Sequence, residues 1–368
     1  MERWFAKQNE EIQMKTISVI GITGIPAQYG GFETLVENLV ENQTTKIQYI
    51  IYCSSKILVK GPRIYKNSIL KYIYINANGP LSIIYDLVCM INSIQTDIML
   101  ILGVSGCIFL PIIRLFFKGK IIVNIDGMEW KRDKWSIFAK YFLKLSEKVA
   151  VQNADVIIGD NQGIVDYINC EYNKKAYLIE YGSDHAKRID IENDNTFNLT
   201  NYAITVCRIE PENNIHLLLE CFSKVVKYNF LIVGNWKNSK YGRNLYDNYK
   251  NFDNIFLMNP IYDIFKLNYL RSHAKIYIHG HSAGGTNPSL VEAMNLSLPV
   301  FAYKCIYNIY TTENKCIYWK SKDELLLSLN TVNDIDLHKI GLRMNSIAVK
   351  RYQWSIIANK YEQLYFYH

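Results

Sequence analysis

The chain has 368 residues, of which 49% are hydrophobic and 20% charged. That length suits two domains, and the composition supports a large core and excludes global disorder. Lys and Arg number 41 against 34 Asp and Glu, a net charge of +7, too small and diffuse for a dedicated nucleic-acid binder but compatible with anionic substrates or a membrane surface. The eight cysteines form no CxxC pair and sit mostly in apolar runs, which reads as buried free thiols in a reducing compartment rather than a zinc cluster or disulfide framework. The segment 1–13 is charged and no leader-type apolar core follows it, so no secretory leader is expected.

In chain order, strand-like runs are expected at 17–22, 47–53, 70–75, 98–102, 121–125, 156–159 and 176–179. After the first run comes a Gly-rich turn and a helix with Phe32, Leu35, Val36, Leu39 and Val40 on one face and Glu33, Glu37 and Glu41 on the other. The stretch Ile98 to Ile113 carries no charge but is shorter than the roughly twenty residues of a membrane span and holds Gly103, Gly106 and Pro111. It is expected to be a buried strand, a glycine turn and an apolar helix. Between about Gly182 and Thr200 the apolar runs stop, and Asp190, Glu192 and Asp194 read as a solvated linker. The pattern then restarts at 202–206, 230–233, 255–257, 276–278, 300–303 and 316–319. Alternating strands and helices predict an α/β protein with parallel, doubly wound sheets. The expected division is an N-terminal Rossmann-like domain 14–182, a linker 183–200, a C-terminal Rossmann-like domain 201–345 and a helical segment 346–368.

Ligands of such folds bind at the carboxyl ends of strands, which selects four constellations. The turn Gly24 to Gly31, with Gly30-Gly31 opening a helix, can present backbone N–H groups to a phosphate or be a structural turn only. Asp126-Gly127 ends a buried strand, so Asp126 is either a helix cap or an acid facing a ligand. Behind it, Glu129, Trp130, Lys131 and Arg132 can grip a sugar-bearing anion or form an ordinary surface. Arg208 follows the next strand and can pair two phosphate oxygens or serve a structural ion pair. The fourth constellation runs from Tyr277 to Met294. Thr286 or Asn287 can cap its helix, Pro288 suits the first helical position, and the loop before them can hold an anion. Glu292 lies about one turn into that helix, where it either accepts from ribose hydroxyls or is solvated. Asp334-Ile335-Asp336 has metal-site spacing in a polar stretch, and His279 and His281 lack a third ligand at useful spacing.

Together these residues resemble glycosyltransferase family 4, of the GT-B fold. Arg208 to Asn214 looks like that family's Arg-Leu-x-x-x-Lys segment, and Gly284 to Glu292 like its Glu-x7-Glu segment. Gly24 to Thr34, Asn124 to Arg132 and Gly284 to Pro288 resemble a bacterial rhamnosyltransferase subgroup of capsule and surface-polysaccharide assembly. The likeness runs from about Met14 to Tyr365. It implies two Rossmann-like domains facing across a cleft, with the C-terminal helix able to cross back. It also implies retaining transfer of L-rhamnose from dTDP-L-rhamnose to a polyprenyl-diphosphate-linked glycan, by an enzyme peripherally bound at the cytoplasmic membrane face, without metal or cofactor.

By position, the resemblance makes Arg208 and Asp126 the catalytic residues. Donor contacts fall to Gly30, Gly31, His281, Gly284, Gly285, Thr286, Asn287 and Glu292 besides Arg208. Acceptor contacts fall to Gln28, Tyr29, Glu129, Trp130, Lys131 and Arg132. Three positions depart from the family pattern: Asn213 in place of a diphosphate-binding Lys, Gly284 in place of the first Glu, and Tyr303-Lys304-Cys305 where the subgroup has an acidic residue. The alternatives are a UDP-hexose transferase of the same fold and a non-catalytic nucleotide-sugar scaffold. An NAD-dependent oxidoreductase lacks support because no GxGxxG occurs. Cys107 to Lys120, with Phe109, Ile112, Ile113, Phe116 and Phe117 beside Arg114, Lys118 and Lys120, reads as a basic-apolar membrane helix or a core helix with a basic end.

Overall fold

Each half of the chain builds its own sheet, as the alternation predicts. The computed structural model describes residues 14–27, 30–43, 46–132, 135–189 and 199–367. The first sheet holds β1 (Lys15–Ile20), β2 (Ile47–Ser54), β3 (Ile64–Tyr65), β4 (Ser68–Ile73), β5 (Ile98–Leu102), β6 (Lys120–Ile125), β7 (Val156–Gly159) and β8 (Tyr177–Leu178). Their order is β3-β4-β2-β1-β5-β6-β7-β8. Only β3 has no counterpart among the expected strands. It is a two-residue edge strand, antiparallel to β4, too short for alternation to register. All five residues of β5 are buried, the pattern of a parallel strand covered on both faces.

The helices of this half are α1 (Gly31–Glu41), α2 (Ser82–Ile91), α3 (Leu110–Phe116), α4 (Ile137–Asn153) and α5 (Gln162–Tyr172). Ile98 to Ile113 thus resolves into β5, a glycine-containing turn and the start of α3. Among the described residues no helix is long and apolar enough to cross a membrane. In α1 the apolar stripe is buried at Leu35, Val36, Leu39 and Val40. The opposite face is not simply solvated, contrary to the periodicity. Glu33 is 8% exposed and accepts from the Thr23 N–H and hydroxyl at 2.9 Å each, while Glu37 accepts from the Ala27 N–H at 2.8 Å. These carboxylates brace the glycine turn after β1.

The second sheet holds β9 (Tyr202–Val206), β10 (Asn229–Val233), β11 (Ile255–Met258), β12 (Ile276–His279), β13 (Val300–Tyr303) and β14 (Ile317–Trp319), in the order β11-β10-β9-β12-β13-β14. Every neighbouring pair in it is parallel. Its helices are α6 (Ile215–Phe222), α7 (Lys240–Tyr249), α8 (Ile264–Ser272), α9 (Pro288–Asn295), α10 (Ile306–Thr311), α11 (Lys322–Thr331), α12 (Asp334–Arg351) and α13 (Trp354–Tyr367). Its core joins Leu218, Leu219 and Phe222 of α6 to Phe230, Ile232, Ile276, Ile278 and Trp319 of the strands.

The chain divides into two compact units. The first runs up to Ile125 and adds Leu143–Ile158 and the chain from Ala358 onward; the second is Asp126–Phe142 with Gly159–Ile357. The end of α13 is therefore part of the first unit. There Tyr361 accepts from Asn124 Nδ2 at 2.8 Å and the Leu364 carbonyl from Lys120 Nζ at 3.0 Å. In the second unit, Ser183 and Asp184 are tied to the turn between α12 and α13: the Ser183 N–H donates to the Tyr352 carbonyl at 2.6 Å and the Trp354 N–H to Asp184 at 2.8 Å. Asp190, Glu192 and Asp194 lie outside the described residues. All eight cysteines are free thiols. Asp334 and Asp336 sit in the first turn of α12, which Asn333 caps.

Candidate active site

Strands β9 and β12 lie side by side at the centre of the second sheet, where the strand order reverses and α/β folds bind their ligands. Arg208 leaves the end of β9, and His279 to Gly284 leave the end of β12. The two loops are laced together. Asn214, at φ 51, donates through its amide to the Gly280 carbonyl at 2.8 Å, and the Ser282 N–H donates to the Glu212 carbonyl at 2.9 Å. The Arg208 side chain is 44% exposed, its Nε 3.9 Å from Glu210 Oε2.

The loop into α9 ends as the residue types dictate. Asn287 is the cap, its Oδ1 accepting from the Ser289 N–H at 3.1 Å, and Pro288 opens the helix. Thr286 instead donates through its hydroxyl to the Asp160 carbonyl at 2.5 Å. Asn161 lies beside it, donating to the Thr311 hydroxyl at 3.1 Å and the Tyr307 carbonyl at 3.2 Å.

Asp126 closes β6 and is exposed. It does not cap the short helical turn Glu129–Lys131, whose cap position is Met128. Gly127, at φ +66, comes so near the α9 loop that a Cβ there would lie 3.1 Å from Gly284 Cα. Two segments far apart in sequence are thereby joined. Behind Asp126, Glu129 pairs with Arg132 Nε at 2.9 Å and accepts from Trp135 Nε1 at 3.2 Å. The Lys131 ammonium lies over the rings of Trp130 and Tyr167, 5.3 and 5.9 Å from their centroids.

Asp160, just past β7, was not singled out by its sequence context. Its Oδ1 is buried with no hydrogen-bond partner. A Cβ at Gly285 would collide with its carboxylate, so any larger residue there would have to displace Asp160. Burial, reinforced by the neighbouring charge of Asp126, pushes the Asp160 carboxyl well above the usual carboxylate range. His281 is buried too. Its Nδ1 lies 2.6 Å from Asn213 Oδ1, and burial together with His279, Arg132 and Arg208 drives it far below the ordinary imidazole range.

Glu292 is 9% exposed and doubly held: Oε2 is 2.5 Å from Arg271 Nη2 and Oε1 is 3.0 Å from His185 Nε2. Burial would raise its pKa, but Arg271 and His185 outweigh that and hold it below the ordinary value. Neither partner was visible in the pattern, since Arg271 ends an unremarkable helix and His185 lies in the stretch read as linker.

The second unit thus contains Asp126, Glu129 to Arg132, Arg208, His281, Gly284 to Asn287 and Glu292. Gly30 and Gly31 belong to the first unit, at the start of α1. Gly30 has φ +124, and a Cβ there would strike the Glu33 carboxylate. Gln28 and Tyr29 lie outside the described residues.

Residues 187–313 match the domain family described as glycosyl transferases group 1. The chain is a glycosyltransferase. Residues 14–184 match a domain of unknown function, DUF1972. No curated protein matches the chain. Among solved structures it is similar to sucrose-phosphate synthase from Thermosynechococcus elongatus, with 16% identity, TM-score 0.79 and coverage of 95% of this chain and 98% of that one. It is also similar to Anabaena HepE in complex with UDP-glucose, with 14% identity, TM-score 0.74 and coverage of 95% and 99%. An E. coli trehalose-6-phosphate protein bound with UDP-2-fluoro glucose gives 9% identity, TM-score 0.72 and coverage of 96% and 99%. At these identities the likeness establishes the glycosyltransferase's fold, which is GT-B.

Proposed function

We propose that this glycosyltransferase moves L-rhamnose from dTDP-L-rhamnose to a lipid-linked saccharide, with retention, in surface-polysaccharide assembly. The observation that carries the reading is the approach of the Asp126-Gly127 turn to the Gly284 loop within one unit. Exposed Asp126 is the residue next to that contact, and His281, in the Gly284 loop, feels the charge of Arg208. On this reading Arg208 neutralises the charge that develops on the departing diphosphate oxygen, an effect worth about 3–4 kcal/mol for a well-placed donor. Asp126 orients the acceptor hydroxyl or takes its proton, and Trp130, Lys131 and Arg132 hold the acceptor's sugar and phosphate. No metal is assigned a step.

A second donor class is favoured by two specific observations. HepE, of similar fold, is solved with UDP-glucose, and Tyr303-Lys304-Cys305 stands where the resemblance to the rhamnosyl subgroup implies an acidic residue. A panel of radiolabelled nucleotide sugars, offered in EDTA with lipid-linked acceptors, separates the two. Label transfer from dTDP-L-rhamnose supports the first reading, and transfer from a UDP-hexose alone replaces it with the second.

The same reading places the enzyme at a membrane surface. In α3, Ile112, Leu115 and Phe116 are 57, 69 and 62% exposed, with exposed Lys118 after them. Ile113 and Phe117 belong to the core, and Arg114 is used internally, donating to the Asn153 and Gly119 carbonyls.

A further inference from the structure

We infer that Asn213 fixes His281 as the Nδ1–H tautomer, making His281 Nε2 an acceptor reserved for a hydroxyl of the donor's sugar and closed to its phosphates. The inference rests on the nucleotide-sugar reading above and adds Asn213 to it as a positioning residue.

Asn213 is 5% exposed, and its amide has one possible orientation. The Arg208 carbonyl can only accept, so the amide nitrogen, 2.6 Å away, must face it. The amide oxygen is then the atom 2.6 Å from His281 Nδ1. That oxygen also can only accept, so Nδ1 carries the proton. Burial first, and then the neighbouring His279, Arg132 and Arg208, hold the ring's pKa far below the ordinary imidazole range, which keeps it neutral. A neutral ring protonated at Nδ1 has a bare lone pair at Nε2.

That lone pair faces the α9 loop. Nε2 lies 3.1 Å from the point a Cβ on Gly284 would occupy, and Arg132 Nη2 lies 3.8 Å from the same point. With φ +105 and no side chain, Gly284 leaves this space empty. A sugar hydroxyl can donate to Nε2 there, whereas a phosphate oxygen would meet it lone pair to lone pair. Arg132 and Arg208 supply donors for phosphate nearby. The imidazole therefore discriminates between the two ends of a nucleotide sugar. Two further contacts fix the backbone of His281: its carbonyl accepts from Asn308 Nδ2 at 2.9 Å and from Cys305 Sγ at 3.7 Å.

The direct test is nitrogen-15 NMR of the histidine rings in the intact protein at neutral pH, with the His281 signals assigned from the spectrum of His281→Gln. A protonated Nδ1 and bare Nε2 are expected. An Nε2–H tautomer or an imidazolium would overturn the inference. Asn213→Asp supplies the second readout, because a carboxylate at Nδ1 favours the imidazolium and turns Nε2 into a donor. Affinity for UDP-glucose and dTDP-L-rhamnose should then fall about tenfold, with UDP and dTDP held within about twofold. Equal losses for the sugar-bearing and sugar-free nucleotides would refute the hydroxyl assignment. If wild type binds none of the four, the nucleotide-sugar reading fails, while the NMR spectrum still decides the tautomer.

Discussion

Arg271 Nη2 and Glu292 Oε2 are 2.5 Å apart, with the two side chains only 2% and 11% exposed. The carboxylate expected to serve a ligand is therefore also the counter-charge of a buried guanidinium. Removing one member of such a pair strands the other without compensation. Glu292→Ala should lower the unfolding free energy by about 3–5 kcal/mol, measured by urea denaturation, besides any effect on nucleotide affinity. An unchanged denaturation midpoint with weaker nucleotide binding would show that the pair contributes little to stability.

Gly285 and Asp160 are coupled sterically. Gly285→Ala should cost about 1–3 kcal/mol, the usual penalty of overpacking. Adding Asp160→Ala should recover most of that loss, since the new methyl group then meets no carboxylate. A double-mutant cycle by denaturation measures the interaction, and strictly additive effects would contradict the contact.

The first unit carries a pH dependence of definite sign. Asp86 is buried and raised to about 7, with only the Ser105 hydroxyl and Gly106 N–H pulling it down. Between its ordinary value and pH 7 the folded chain holds a proton that the unfolded chain has released. The stability contributed by protonated Asp86 is thus full below about pH 4 and is lost as pH rises towards 7, at about 1.4 kcal/mol per pH unit. Asp86→Asn should flatten that part of the stability profile. A wild-type slope retained in the variant would contradict the assignment.

The exposed face of α3 gives a surface prediction. The protein should pellet with anionic liposomes at low salt, and Ile112→Glu with Phe116→Glu should reduce the bound fraction several-fold without unfolding it, because both side chains are exposed. Equal pelleting of the double variant would remove α3 from the contact.

Arg208→Ala should cut turnover about 100-fold or more, measured as transferred label with saturating donor. Transfer at the wild-type rate would take Arg208 out of the site.

The strands were legible because parallel strands covered on both faces are written as largely apolar runs, unbroken in β5. Asn287 and Pro288 announced their helix for a similar reason, since a cap is a local interaction between neighbours in sequence. The partners of Glu292, the Asp160 carboxylate and the Asn213–His281 bond were not legible. Each joins residues from separate elements, and no periodicity records which strand ends come together. Glu33 misled because its charge suggested solvent, whereas the Thr23 N–H and hydroxyl supply the hydrogen bonds that allow its burial.

Glycosyl transfer from a nucleotide sugar to a lipid-linked saccharide is the reaction expected of the wild-type protein. Its most direct test is mass spectrometry of the wild-type protein incubated with dTDP-L-rhamnose and a set of polyprenyl-diphosphate-linked monosaccharides. An acceptor heavier by one deoxyhexosyl residue is expected, together with released dTDP. Unmodified acceptors and intact donor, with the same result when UDP-hexoses replace the donor, would contradict that expectation.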